Sequence, residues 1–266
     1  MTTPDFSTSD FIIELFVRVD DALPNTKKHS QAKLYPSEVV TLGLLFALKG
    51  VGNRAFYRWI SRDLRGLFPH LPERTRLFRL LATHQGEVAC FLAPPTLLGV
   101  ADSFGIELLH PWRYGRSDKQ IGKKCYSNHR WIVGGKLGVV LNRLGQVCAW
   151  DCKTANTHDS DFQPLIAQFD AQMLVLADTH FHQKAGDPPN LKVCKRGVWN
   201  ERMVIETVLS MLSGVCHFKR VGHRVWRYFQ ARLAFTMAVF NLCIGWNGLQ
   251  ASESGFVSLS MAQFSL

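Results

Sequence analysis

The chain lacks any CxxC pair, and its seven cysteines (Cys90, Cys125, Cys148, Cys152, Cys194, Cys216 and Cys243) are odd in number and scattered. That pattern argues against a disulfide framework and for reduced thiols in a cytoplasmic protein. Long apolar runs are also missing. The longest, LAFTMAVFNLCIGW from Leu233 to Trp246, is interrupted by Thr236 and Asn241 and falls short of the roughly 20 residues a membrane span needs. It reads as a buried helix, and no membrane association is expected. The start, MTTPDFSTSDF, has neither a basic nor an apolar segment, so a signal peptide is not expected there. Charged residues make up only 20% and apolar ones 47%, which excludes a mainly disordered chain. No internal repeat is visible.

Acids are the scarcer charge: 21 Asp+Glu against 31 Lys+Arg, for a net charge of +10. A surplus of this sign points to a polyanionic partner, nucleic acid before membrane. Residues 1–95 carry 12 basic and 9 acidic residues, or +3, and the rest carry 19 and 12, or +7.

Residues 1–95 read as helical. SDFIIELFVRVDDAL begins with a Ser/Asp cap and keeps its apolar residues on one face. YPSEVVTLGLLFALKG has Pro36 and Ser37 at a helix start and Gly50 just past its end. NRAFYRWISRDLRGLF and ERTRLFRLLATHQGEVACFL are two further helices. Arg54, Arg58, Arg62 and Arg65 lie close together, which suits a helix-turn-helix-like pair that binds DNA ends. It equally suits a plain helical bundle with solvated arginines. LAPPTLLG marks a boundary at residues 93–96. Beyond it, TLLGVADSF is an apolar strand ending at Asp102. HRWIVGGKLGVVLNRLGQVCAWDCKTA is two strands joined at Asn142 to Gly145. DSDFQPLIAQF is a helix capped by Asp159 or Ser160, and AQMLVLAD is a buried strand ending at Asp178. A polar loop, the helix NERMVIETVLSMLSGV and a long final helix follow. The order implies an α/β sheet with packed helices over residues 96–250, and a loosely ordered tail over 251–266.

Two strands that each run into an acid place Asp102 and Asp178 where ligands gather in open α/β sheets. Neighbouring carboxylates repel unless a cation lies between them, so the pair points to a divalent metal. Glu206 stands in an otherwise apolar helix with Arg202 four residues before it, a partner at helical spacing. Each acid alone is as well explained as a cap, a turn residue or a surface ion pair, and the set is what carries information.

In these segments the chain resembles the DDE transposases of bacterial insertion sequences. VADSFGIEL is similar to the family's first-aspartate strand, VLADTHFH to its second, and WNERMVIETVLSML to its glutamate helix. The family's Tyr, Arg, Glu and Lys positions are occupied here by Trp199, Arg202, Glu206 and Ser213. His180 and Phe181 stand where relatives often have glycine and an aromatic residue. The resemblance covers about residues 97–250, and the 28 residues from Asp178 to Glu206 leave no room for a large insertion. It implies an RNase H-like mixed sheet flanked by helices, preceded by a small all-helical N-terminal domain. It also implies that Asp102, Asp178 and Glu206 hold two Mg²⁺ ions, with Mn²⁺ as a substitute, and that Arg202 orients Glu206 or touches a phosphate. The implied activity is cleavage of double-stranded DNA at element ends and strand transfer into target DNA, by a homodimer that synapses the ends. Two rivals remain: an RNase H-like nuclease that cuts without joining, and a domesticated relative that only binds DNA.

The loop HPWRYGRSDKQIGKKCYSNHRW sets Arg113, Arg116, Lys119, Lys123, Lys124 and Arg130 against one acid, Asp118, with Trp112, Tyr114, Tyr126 and Trp131 interleaved. Such a loop can meet phosphates and stack on bases, or can simply be solvated. Lys195 and Arg196 form a lesser basic candidate. A zinc site from His180, His182, Cys148 and Cys152 competes weakly, because structural zinc usually offers clearer paired spacing.

Overall fold

The computed structural model describes residues 7–23, 28–127, 130–194, 202–217 and 222–246, together with Gly248, Phe264 and Leu266, and only the backbone of Arg202 and Met203. Four helices come first: α1 (Thr8–Ala22), α2 (Pro36–Lys49), α3 (Asn53–Asp63) and α4 (Arg74–Thr83). Ser7 and Asp10 cap α1 reciprocally. Pro36 opens α2, the Glu38 carboxylate accepts from the Tyr35 N–H at 2.6 Å, and Gly50 closes the helix in the left-handed region at φ 64°. The fourth expected helix ends at Thr83 and continues as a 3-10 stretch, His84–Phe91.

A mixed sheet of six strands follows, flanked by helices. Its strands are β1 (Leu98–Leu109), β2 (Lys123–Ser127), β3 (Arg130–Asn142), β4 (Val147–Thr154), β5 (Leu174–Ala177) and β6 (Leu191–Val193). The short helix α5 (Gln163–Ala167) precedes β5, and α6 (Arg202–Gly214) and α7 (Trp226–Trp246) end the described chain. Strand β3 pairs antiparallel with β1 on one side, and with β2 and then β4 on the other. Strands β1, β5 and β6 run parallel. The β3–β4 turn is set by Asn142, whose side-chain oxygen accepts from the Leu144 and Gln146 N–H groups, both at 3.0 Å.

Three expectations change. Strand β1 does not stop at Asp102 but runs seven residues further to Leu109, because antiparallel β3 stays hydrogen-bonded along its whole length. The basic loop contains β2, which adds to the free edge of β3 where β4 is not yet paired. The polar loop after Asp178 contains β6, recruited by the edge of β5.

Helix α7 is the apolar run expected to be a buried helix, and it is buried on nearly every side. Helices α1, α2 and α4 and the 3-10 stretch pack with it in one continuous core that also takes one face of the sheet. The buried Asn241 joins the layers: its amide donates to the Phe91 and Val147 carbonyls at 2.9 and 2.8 Å, and its oxygen accepts from the Val147 N–H at 2.8 Å. From the terminal segment, Phe264 is buried against Phe11 and Trp246. Among the described residues no single helix is long and apolar enough to cross a membrane.

At Gly43, α2 comes close to α7. A Cβ there would lie 2.2 Å from the ring of Phe235, which is 1% exposed. Gly43→Ala is therefore expected to destabilise the fold by about 1–3 kcal/mol despite the helix propensity it gains. Urea unfolding measures this, and Phe235→Leu in the same chain should recover part of the loss.

Candidate functional site

Parallel register brings Asp102 and Asp178 together. Leu98 pairs with Leu174 and Val100 with Leu176, an offset of 76 residues. That pairing ends at Val100 and Leu176, and the same offset extended two residues places Asp102 level with Asp178, which stands just past the end of β5. Asp178 follows directly on β5 with extended backbone, φ −77° and ψ 174°. Side chains alternate along a strand. Ala101, Val175 and Ala177 belong to the core beneath one face, whereas Val100, Val139 and Leu141 belong to the core on the other. Asp102 and Asp178 therefore share the second face. Helix α6 packs on β1, and its Ile205, Val208 and Leu212 enter that same core. Glu206 thus lies on the side of the sheet that the two aspartates share.

Asp102 and Asp178 are half-buried, and Glu206 is exposed on the flank of α6 rather than set within its apolar wall. No three Asp, Glu, His or Cys side chains among the described residues lie close enough to hold one metal ion. The aspartate pair offers hard oxygen donors of the type Mg²⁺ takes, but Glu206 does not complete a shell with them in this arrangement. Arg202 begins α6. Lys195, Arg196 and Trp199 lie outside the described residues.

The loop after Asp178 is held in place from several sides. Asp178 caps a 3-10 turn, Thr179–Phe181, by accepting from the His180 N–H at 2.9 Å. Phe181 is buried, and its carbonyl accepts from the Gln163 amide at 2.8 Å. His182 Nδ1 is 2.7 Å from Asp187, which also accepts from Gln163 and from the Gln183 N–H. The Gln183 N–H and then His182 hold the Asp187 carboxyl below the usual carboxylate range. His182 is thus a loop staple, while the His180 side chain is exposed. Cys148 and Cys152 are buried thiols. Burial raises both thiols, and Cys148, Cys152, His180 and His182 do not form a metal-holding group among the described residues.

A polar pair on the opposite face supports the site and was not read from the sequence. Asp159 accepts from the Ser103 hydroxyl at 2.5 Å and from the Lys136 ammonium at 2.7 Å. The turn is capped instead by His158, so Asp159 anchors it to the strand residue next to Asp102. Nothing in a strand pattern marks Lys136 as the partner of an acid 23 positions away.

The basic residues divide between β2, the β2–β3 edge and the segment after β1. Trp112 is 82% exposed, Tyr126 58% and Trp131 53%. The Lys124 ammonium sits 4.6 Å above the Trp131 ring, and Arg130 is 3.2 Å from Glu107. A cleft of about 740 Å³ is lined by Trp112, Arg113, Arg116, Lys119, His223 and Arg224 among others. These groups begin near Glu107, whose β3 partner Gly134 also pairs with Lys123. Glu107 is five residues beyond Asp102, or roughly 17 Å along the strand. The basic surface therefore starts at a distance from the acids rather than touching them.

The Lys136–Asp159 pair is mostly buried, at 16% and 19% side-chain exposure. Lys136→Met is expected to cost about 1–3 kcal/mol in urea unfolding, because Asp159 keeps only its hydroxyl partner. Lys136→Met with Asp159→Leu should be less destabilised than the sum of the two single changes. Neither a protein-family model nor a curated protein matches this chain.

Proposed function

We propose that this protein is a metal-dependent DNA-cutting and joining enzyme of the DDE transposase type, with an RNase H-like core preceded by a helical N-terminal domain. The observation that carries the reading is the alignment of Asp102 and Asp178 on neighbouring parallel strands, on the sheet face that α6 covers. The strand arrangement supports it: an antiparallel β4–β3–β1 set continued by parallel β5 and β6. The net charge of +10 and the exposed aromatics within the basic surface support a double-stranded DNA partner. Helices α2 and α3 meet at 117° across a three-residue turn, an angle in the range of helix-turn-helix pairs. Helix α2 is buried while Arg54 and Arg58 of α3 are exposed, which suits α3 as an outward-facing DNA contact.

In this reading Asp102 and Asp178 would hold Mg²⁺, and Glu206, oriented by Arg202, would join them when α6 closes on bound DNA. The ions would supply a deprotonated water or 3′-hydroxyl and stabilise the leaving oxygen. The strand register keeps the two carboxylates at one level, and the Asp187–Gln163 clamp fixes the loop that follows Asp178. Arg113, Arg116, Lys119, Lys123, Lys124 and Arg130 would hold phosphates of the duplex, with Lys195 and Arg196 as further candidates. Two ends must be synapsed, so a homodimer would act, in the cytoplasm.

Incubation with Mg²⁺ and DNA carrying the element ends tests the reading. Joined product is expected, and Asp102→Ala or Asp178→Ala should lower its formation about a thousandfold, the effect of several kcal/mol of lost charge stabilisation. Joining that survives Asp102→Ala would overturn the site. Cutting without joining would make the protein a nuclease, and binding alone a DNA-binding relative. In a separate salt titration, Arg116→Ala should weaken DNA binding regardless of sequence and lower the slope of log K against log salt by about 1.

A further inference from the structure

Four aromatic side chains, Trp112, Tyr114, Tyr126 and Trp131, stand exposed within a short stretch of the chain. Rings of this size usually hide most of their surface from water. Strand pairing explains part of the cluster. Tyr126 and Trp131 are partners across β2 and β3, with ring centres 5.4 Å apart, and the Lys124 ammonium lies over the Trp131 ring. Such cross-strand contacts steady a hairpin edge. They do not account for Trp112. It belongs to the 3-10 turn Pro111–Arg113, just after β1, and is 82% exposed.

That turn makes Trp112 a wall of a cleft that Trp131 also lines. The cleft measures about 550 Å³, and its polar lining is Glu107, His110, Lys124 and Arg130. Its single acid, Glu107, is engaged by Arg130 at 3.2 Å. Two indoles and a surplus of positive charge therefore face one space, of a size that holds a planar heterocycle. His110 and Trp112 also line the larger cleft beside Arg113, Arg116 and Lys119. The two clefts adjoin at the turn.

We propose that the cleft between Trp112 and Trp131 takes an unpaired base of a DNA strand, stacked on the indole rings. The flanking phosphates run past Lys124 and Arg130 on one side and towards Arg113 and Arg116 on the other. This rests on the DNA partner proposed above and narrows it to a strand whose bases are open at this place. In a duplex each base face is covered by its neighbours, so a protein ring meets base edges; a single strand offers the faces themselves. Charge decides between a base and an apolar peptide. A nucleotide brings a phosphate for the cations beside the rings, whereas an apolar segment leaves them unmatched.

Binding of the full chain in EDTA, where no metal-dependent cutting occurs, tests this with three probes. One is a blunt duplex. The second is the same duplex with an unpaired oligothymidine extension. The third carries an abasic extension with the same phosphates and no bases. Fluorescence anisotropy should show the thymidine extension bound about tenfold more tightly than the abasic one. Trp112→Ala should abolish that preference and leave the affinity for blunt duplex unchanged. The ring it removes is exposed, so its Tm should match that of the unaltered protein. Trp112→Phe, which keeps an aromatic face, should retain most of the preference, and Trp112→Leu should not. Lys124→Ala should instead weaken both extended probes alike and lower the salt slope by about 1. Equal affinity for the thymidine and abasic extensions, or a preference that survives Trp112→Ala, would overturn the proposal. The blunt duplex separates the two failures. If it binds and bases add nothing, the DNA reading stands without the base cleft; if no probe binds, both fall.

Discussion

The burial of the middle of α7, Ala231 to Asn241, on all sides is the constraint on which the rest of the structure depends. A helical stretch with no solvated face must find a partner in every direction. Here α2 covers one side, with Gly43 letting the Phe235 ring approach the α2 backbone. The 3-10 stretch and β4 meet it through Asn241, which satisfies three backbone groups at once. Arg232 ties it to the end of α2. The four N-terminal helices and one face of the sheet therefore share a single core.

That shared core also defines the candidate site. Helix α6 enters it through Ile205, Val208 and Leu212, which holds Glu206 on the same side of the sheet as Asp102 and Asp178. The opposite face carries a second, smaller core, in which Phe162 fills the space that a side chain at Gly138 would need. Asp159 and Lys136 pin the turn before α5 to β1 on that side. The two aspartates are thus positioned by strands held from both faces. Glu206 rides on one helix, exposed on the flank of α6, and is held less firmly in place than the two aspartates.

Local signals carried much of the reading. Pro36 and Gly50 mark helix ends by chemistry within a few residues, and the Asn142–Gly145 turn does the same for the β3–β4 hairpin. Helix α1, by contrast, is capped by Ser7, two residues before the Ser9–Asp10 pair read as its start, with Asp10 closing the cap from inside the helix. Asp178 was legible because the apolar run LVLA stops there and its carboxylate caps the turn that follows. The extent of β1 past Asp102 was not legible, since SFGIEL alternates too weakly to show a strand without β3 beside it. Strand β2 was hidden for a related reason. Lysines and aromatics in KKCYS read as a solvated loop until the free edge of β3 gives them hydrogen bonds.

Taken alone, the sequence determined the class of the protein: a mixed α/β chain with helices first, acids after apolar strands, scattered cysteines and a basic surplus. These follow from periodicity, capping and composition, which act over a few residues or over the whole sum. Tertiary structure decided what depends on distant partners. It chose which acids share a level, through a parallel register with an offset of 76 residues. It turned His182 into a staple for Asp187 and Asp159 into an anchor for Lys136. It buried Arg232 at the end of α2, where its terminal nitrogens donate to two carbonyls of that helix and its Nε–H finds no acceptor. Pairing across long sequence separations depends on packing and hydrogen-bond geometry that no local pattern encodes.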